Sequence, residues 1–329
     1  MNSFWEGRRA LVTGAGGFIG SHLAGALVRA GAKVAAFVRY TASGSAGALR
    51  FEEEAAEMEL FRGDLRDADA VATAVQGREI VLHLGALVGI PYSYASPRDV
   101  VETNVGGTLN VLQAARAHGP GLVLCMSTSE VYGTPEALPI SERTRLMAQS
   151  PYAASKVAAD MLALSFHRSY GLPVTLARPF NVYGPRQSAR AVVPTILTQA
   201  LAGAAVRLGS LTPVRDLTFV ADAVEGLMSL AAWPDASGRT VQFGTSTGVT
   251  VRQLVELVEE VLGRELEIVT EGHRKRPEES EVEALVCDPS LAQRQLEWRA
   301  RTDLRTGLKR TAAWIEEHLD EYQVGTYAA

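Results

Sequence analysis

Cysteine is nearly absent from this chain: Cys125 and Cys287 are the only two in 329 residues. Two thiols cannot build a disulfide framework, so a reducing compartment is expected. Cys125 sits in the apolar run Leu122-Val123-Leu124-Cys125-Met126 and reads as core, not as a nucleophile. Long apolar stretches are missing too. None reaches the roughly 18 residues that span a bilayer, and the first residues lack the apolar region of a secretion signal. The expectation is a cytoplasmic protein without a membrane partner. A basic excess is also absent: 32 Lys and Arg stand against 37 Asp and Glu, a net charge of -5. That leaves no electrostatic footprint for nucleic acid. The one local basic run, His273-Arg274-Lys275-Arg276, is followed by Pro277 and glutamates. It reads as a solvated loop, or as a few cations aimed at a small anion. No metal site is expected.

What the chain has is apolar material in a repeating pattern. Apolar residues make up 47% and charged residues 21%, a globular profile with length enough for two domains or one large α/β unit. Short apolar runs near 9–13, 33–38, 58–61, 79–84, 121–126 and 173–178 alternate with helical stretches near 17–30, 67–75, 97–118 and 150–170. This alternation predicts a doubly wound parallel (Rossmann) α/β sheet with helices on both faces. After residue 180 loops and Gly-Pro pairs dominate, with helices expected near 190–202, 221–232, 250–262 and 303–319. The expected division is a dinucleotide-binding domain over 1–178 and a smaller C-terminal substrate-binding region over 179–329, partly interleaved with the sheet. Ligands of such sheets bind beyond the carboxyl ends of the strands.

One such end is Thr13-Gly14-Ala15-Gly16-Gly17-Phe18-Ile19-Gly20. The common Gly-x-Gly-x-x-Gly fingerprint is missing, because it would need glycine at Ile19. Gly14, Gly17 and Gly20, spaced three apart, serve the same physics. They allow a backbone conformation barred to side chains, a close approach to a pyrophosphate, and tight packing of helix on strand. The amides that open the helix at Phe18 and Ile19 then face the phosphates. The second run, Ala36-Phe37-Val38-Arg39-Tyr40, ends without the carboxylate that would hold the ribose of NAD. Arg39, helped by Ser43, could pair with the 2′-phosphate of NADP, or could stack on the adenine. Asp64, followed by Leu65, is placed to reach the adenine amino group or else caps the helix near Asp67. Leu84, Gly85 and Ala86 follow the fourth run at the same edge.

Tyr152-Ala153-Ala154-Ser155-Lys156 opens a helix after Ser150-Pro151, and a spacing of four puts phenol and ammonium on one face. The lysine is expected to favour tyrosinate and lower the Tyr152 pKa, although such pairs also arise by chance. Ser127-Thr128-Ser129-Glu130 ends the run at 121–126. Thr128 is placed to hydrogen-bond a substrate hydroxyl beside Tyr152. Glu130, at the mouth of an apolar sheet, should be partly desolvated, which suits a carboxylate alternating between base and acid. The alternative is a surface glutamate opening a loop.

Taken in order, these motifs resemble the extended short-chain dehydrogenase/reductase family, in its branch acting on nucleotide sugars. The resemblance also rests on His83-Leu84-Gly85-Ala86, on Arg178-Pro179-Phe180-Asn181-Val182-Tyr183-Gly184-Pro185-Arg186 and on Arg215-Asp216-Leu217-Thr218-Phe219-Val220-Ala221-Asp222. Thr128-Ser129-Glu130 is similar to the loop of GDP-mannose 4,6-dehydratases, which favour NADP, and of UDP-glucuronate decarboxylases. Ile90-Pro91-Tyr92-Ser93-Tyr94 and Arg276-Pro277-Glu278 look like 4,6-dehydratases of nucleotide-activated N-acetylglucosamine, which use NAD.

The resemblance implies a tightly bound NAD or NADP, regenerated at each turnover, with Pro179 beside it. It implies that Tyr152, Lys156 and Thr128 oxidise the sugar at C4, and that Glu130 removes the C5 proton. Water then leaves from C6, and the product is a 4-keto-6-deoxy sugar. The resemblance also groups Ser129 with the catalytic residues, where related loops carry an aspartate acid; a hydroxyl is a poor acid, so Glu130 should serve as acid too. Asn181, Arg186, Arg190, Arg215 and Arg276 are expected at the nucleotide diphosphate. A homodimer through the helices near 97–118 and 150–170 is implied as well. The alternative is a C4-epimerase or decarboxylase that shares the first oxidation.

Overall fold

A computed structural model describes residues 2–325. Seven strands form its main sheet: β1 (Arg9–Thr13), β2 (Lys33–Arg39), β3 (Glu59–Gly63), β4 (Ile80–His83), β5 (Leu122–Met126), β6 (Val174–Pro179) and β7 (Thr240–Phe243). Their spatial order is 3-2-1-4-5-6-7 and every pairing is parallel. All residues of β4 and β6 are buried, as a sheet covered on both faces requires. Alternate residues feed two cores. Ala10 and Val12 pack with α1 (Phe18–Arg29) and, later in the chain, with the helix Val220–Ala232. Leu11 faces the other side, toward α2 (Ala68–Val75), α3 (Gly107–His118) and α4 (Pro151–Tyr170). The doubly wound class expected from the alternation is therefore found. Strand order reverses between β1 and β4, which opens a crevice at their carboxyl ends.

Three local departures matter for the site. The stretch 97–118 is not one helix: α-helix at Pro97–Val101 and in α3 is joined by a π-helical turn, Glu102–Gly106. β3 lies two residues later at its end than the apolar run suggested. β7 went unread because Thr-Val-Gln-Phe is short and half polar; it brings the second half of the chain onto the sheet edge. That half also builds a three-stranded sheet, with Val214–Asp216 between Gly248–Thr250 and Ala284–Leu285. Among the described residues no helix is long and apolar enough to cross a membrane.

Helix α4 starts where its sequence says it should. The Ser150 hydroxyl accepts from the Ala153 amide at 3.1 Å, Pro151 takes the first helical position, and Gly171 ends the helix at φ 67°. Tyr152 is thereby held in the first turn, over the carboxyl edge of the sheet. Two turns below, Asp160 meets Arg178 of β6 through Nε at 3.2 Å and Nη2 at 2.8 Å, with both side chains 3% exposed. Ser127 donates to the same carboxylate at 2.7 Å, and Arg178 Nη1 donates to the Tyr132 hydroxyl at 3.0 Å. Tyr132 passes the chain on to Gln242 of β7 at 3.0 Å.

Removing one partner of a buried pair strands the other charge, which costs about 3–5 kcal/mol. Asp160→Ala should lower the stability of the protein by that amount in urea denaturation. Asp160→Leu combined with Arg178→Met should recover most of the loss.

Candidate active site

The loop after β5 caps itself: the Thr128 side chain accepts from the Glu130 amide at 3.3 Å and starts a 3-10 turn over Ser129–Tyr132. With three residues per turn, neighbours point apart by a third of a circle. Thr128 and Glu130 line a cleft of about 370 Å³ together with Tyr152. Ser129, grouped with the catalytic residues from sequence, is buried in that turn and does not line the cleft. Apolar Val88, Ile90, Pro91, Val193 and Leu217 and polar Asn181, Gln187, Arg190, Arg215 and Arg276 also line the cleft.

The Tyr152 phenol lies near the Thr128 side chain. The phenol is pushed up by burial and by the charges of Glu130 and Asp160, which outweigh the opposite effect of Thr128. Lys156 does not lower it, contrary to the expectation from spacing. The ammonium lies deeper and donates to the Met126 carbonyl at 2.8 Å, and burial holds Lys156 below its ordinary range despite the Asp160 carboxylate nearby. Glu130 is 7% exposed. Arg276 Nη1 lies 3.7 Å from its Oε1, and the charges of Glu130 and Arg215 act on each other.

Arg215 is fixed by the Val282 and Val214 carbonyls at 2.9 and 3.0 Å and pairs with Glu281 at 3.2 Å. Arg276 reaches Glu281 at 3.4 Å, and its buried Nη1 makes no hydrogen bond. Asn181 Oδ1 is also buried without a partner. Arg190 is exposed at the mouth. Arg186, expected at the diphosphate, is elsewhere. Its φ of 70° turns the side chain onto Glu52 and the Phe51 carbonyl, over the Trp314 ring. It lines a separate hollow of about 430 Å³ between that region and the C-terminal helix.

The glycine turn makes a second recess at the crevice. Gly14 has φ 71°, and a Cβ there would stand 2.8 Å from the Gly85 backbone; one on Gly20 would strike the Gly14 carbonyl. Gly17 caps α1 with its own extended backbone, with Phe18 and Ile19 in the first turn. A hollow of about 120 Å³ follows, lined by Gly14, Phe37, Arg39, Asp64, Leu65, Arg66, Gly85 and Ala86. Such a cradle, closed to side chains and ending at a helix N-terminus, fits a dinucleotide. Asp64 is gripped by Arg66 at 2.7 and 2.9 Å, which holds its carboxyl below the usual range. Ser43 sits on an exposed turn, bonded to Thr41 at 3.2 Å, and does not line this hollow. Leu84 is buried after β4 and Pro179 ends β6. Among the described residues no three His, Cys, Asp or Glu side chains are grouped to hold a metal ion.

Three supporting residues escaped the sequence reading of the site. Asn104, in the π-helical turn, accepts from the Leu87 amide at 2.7 Å and donates to the Leu87 carbonyl at 3.0 Å and to Ser155 at 2.9 Å. It fastens the cleft wall to α4; a short polar residue just before Gly106-Gly107 inside a helical stretch was its signal. Asp160 continues the four-residue spacing of Tyr152 and Lys156, a legible cue. His83 bridges Thr13 at 2.7 Å and Thr108 at 3.0 Å, and Thr13 also accepts from the Gly85 amide at 3.1 Å.

Comparison with known proteins agrees with this geometry. A sequence profile for GDP-mannose 4,6 dehydratase matches residues 11–311, and the chain belongs to that family of the extended short-chain dehydrogenase/reductases. A dTDP-glucose 4,6-dehydratase of Streptomyces antibioticus is 35% identical over 94% of this chain and 92% of its own. A UDP-glucose 4-epimerase of Mycolicibacterium smegmatis is 33% identical over 93% and 98%. The dTDP-glucose 4,6-dehydratase of Streptomyces venezuelae, solved with NAD bound, superposes with a TM-score of 0.87 at 30% identity, covering 96% of this chain and 99% of that one.

Burial, with the Lys156 charge second, pushes His83 down to about 3, and burial pushes His22 down to about 4. Below pH 6.5 the unfolded chain takes up protons there that the native state refuses. Their contribution to stability is therefore whole above pH 6.5 and lost as pH falls toward 3. Plots of urea midpoint against pH should show this slope, and His83→Gln should flatten it between about 6 and 4.

Proposed function

We propose that this protein is a nucleotide-sugar 4,6-dehydratase working with NAD. The observation that carries the reading is the single cleft lined by Glu130, Thr128 and Tyr152 together with Arg190, Arg215 and Arg276. Arginine's rigid fork suits a diphosphate, so Arg215 and Arg276, with Asn181 and Arg190 beside them, hold the nucleotide end. This orients the hexose toward Tyr152 and Glu130. A nicotinamide dinucleotide seated on Gly14, Gly17 and Gly20 supplies hydride acceptance at C4 and hydride return at C6. Tyr152 receives the proton of the C4 hydroxyl, with Thr128 steering that hydroxyl. Burial and nearby carboxylates keep this phenol protonated. The positive charge of an oxidised nicotinamide, magnified by the same desolvation, favours release of the phenol proton to solvent and leaves the tyrosinate that takes the C4 hydroxyl proton. Glu130 takes the C5 proton, which is acidic beside the C4 ketone. It then returns a proton to the C6 hydroxyl as water leaves, because Ser129 lies outside the cleft. Hydride at C6 must be matched by a proton at C5, which Glu130 relays from solvent, while Tyr152 releases the C4 hydroxyl proton to solvent, so the count closes.

NAD is favoured over NADP by the NAD bound in the Streptomyces venezuelae relative and by Ser43 lying outside the recess. Arg39 then stacks on the adenine. Tighter binding of NADP than of NAD in fluorescence titration would overturn this. We also infer that two copies pair through the neighbouring helices that leave Val101 and Met161 45% exposed. Light scattering should then give twice the 35.2 kDa chain mass.

Incubated with dTDP-glucose, UDP-glucose and GDP-mannose in D2O, the protein should convert one of them with loss of water and place deuterium at C5 of a 6-deoxy product. Tyr152→Phe and Glu130→Gln should each cut turnover by about 10²-fold or more. A product of unchanged mass without deuterium would instead establish the epimerase reading favoured by the mycobacterial relative.

A further inference from the structure

The guanidinium groups of this site are held very differently. Arg178 is locked on Asp160 at 2.8 and 3.2 Å, and Arg215 on two carbonyls at 2.9 and 3.0 Å. Arg276 hangs between two carboxylates, 3.7 Å from Glu130 and 3.4 Å from Glu281. Its Nη1 is buried and makes no hydrogen bond. Such a nitrogen has given up water without a directed partner, so it gains most from an acceptor that enters the cleft. The chain that follows it is pinned. Tyr94 bonds Ser280 at 2.6 Å, Gln149 donates to the Glu279 carbonyl at 2.9 Å, and Arg215 holds the Val282 carbonyl. A change of partner is thus open to the Arg276 side chain without moving the backbone beyond it.

We propose that Arg276 is a positioning residue for Glu130: it pairs with the carboxylate until the diphosphate of an arriving nucleotide sugar draws it off. Glu130 is then free to take a carbon-bound proton only when a complete nucleotide is seated. The inference rests on the dehydratase reading for what Glu130 does, but not for the exchange of partners. Glu130 is faced by Arg276, by Arg215 of the strand Val214–Asp216, and by Tyr152 of α4, with Glu281 behind the two arginines. The incoming dianion adds negative charge to this group, and Arg276 is its least committed cation.

A double-mutant cycle on the intact protein tests the exchange, with Tyr152→Phe throughout to block turnover and calorimetric Kd values for dTDP-glucose, UDP-glucose and GDP-mannose. Glu130→Gln should tighten binding roughly fivefold, because Arg276 no longer has to be pulled from a carboxylate. In the Arg276→Gln background the same change should have no effect, and Arg276→Lys should restore part of it. Equal tightening in both backgrounds would mean simple repulsion between Glu130 and the diphosphate and would overturn the proposal. So would no tightening at all, or no binding of any of the three. Dehydration that survives Glu130→Gln in the otherwise native protein would sink the role of Glu130 as the C5 base and leave the cycle standing.

Discussion

The Asp160–Arg178 pair is the constraint on which the site's geometry depends. It is dry, and neither charge can leave without stranding the other. Because Asp160 belongs to α4 and Arg178 to β6, their contact fixes how the helix lies on the sheet. Tyr152 and Lys156 are carried on the same helix face, two turns and one turn above. Ser127 and Tyr132 bring the ends of the catalytic loop into the same network, so phenol and carboxylate are referenced to one buried point.

Above that anchor the cleft sets opposite charges side by side. Glu130 stands near the Tyr152 phenol, which burial pushes up. The cations beside it are not equally rigid: Arg215 is fixed by carbonyls, while Arg276 is shared between Glu130 and Glu281. A site with one firm and one loose cation can both register a diphosphate and report its arrival.

Much of the architecture was legible because it rests on local rules. Continuous apolar runs announced buried parallel strands, and the glycines of 14–20 announced a turn that tolerates no Cβ. The spacing of Tyr152 and Lys156 placed them on one helix face. What escaped depended on contacts distant in sequence or on irregular backbone. Arg186 sits in a motif that suggested phosphate binding, yet a left-handed backbone turns it to Glu52, 134 residues away. Ser129 follows Thr128 in sequence, but a tight turn points it out of the cleft. The effect of Lys156 on Tyr152 failed because spacing says nothing about depth, and the ammonium had a carbonyl to satisfy.

The π-helical turn at Glu102–Gly106 carries a further lesson about ancestry and repair. Such a turn is an α-helix that has accommodated one surplus residue, and its widened backbone is less stable than the regular form. The surplus sets the phase of everything after it, so Asn104 and Thr108 reach their partners only while it is present. Excising one residue here would yield a straighter, better-bonded helix with the wrong side chains turned inward. In this segment, evolution for regularity and evolution for catalysis pull in opposite directions.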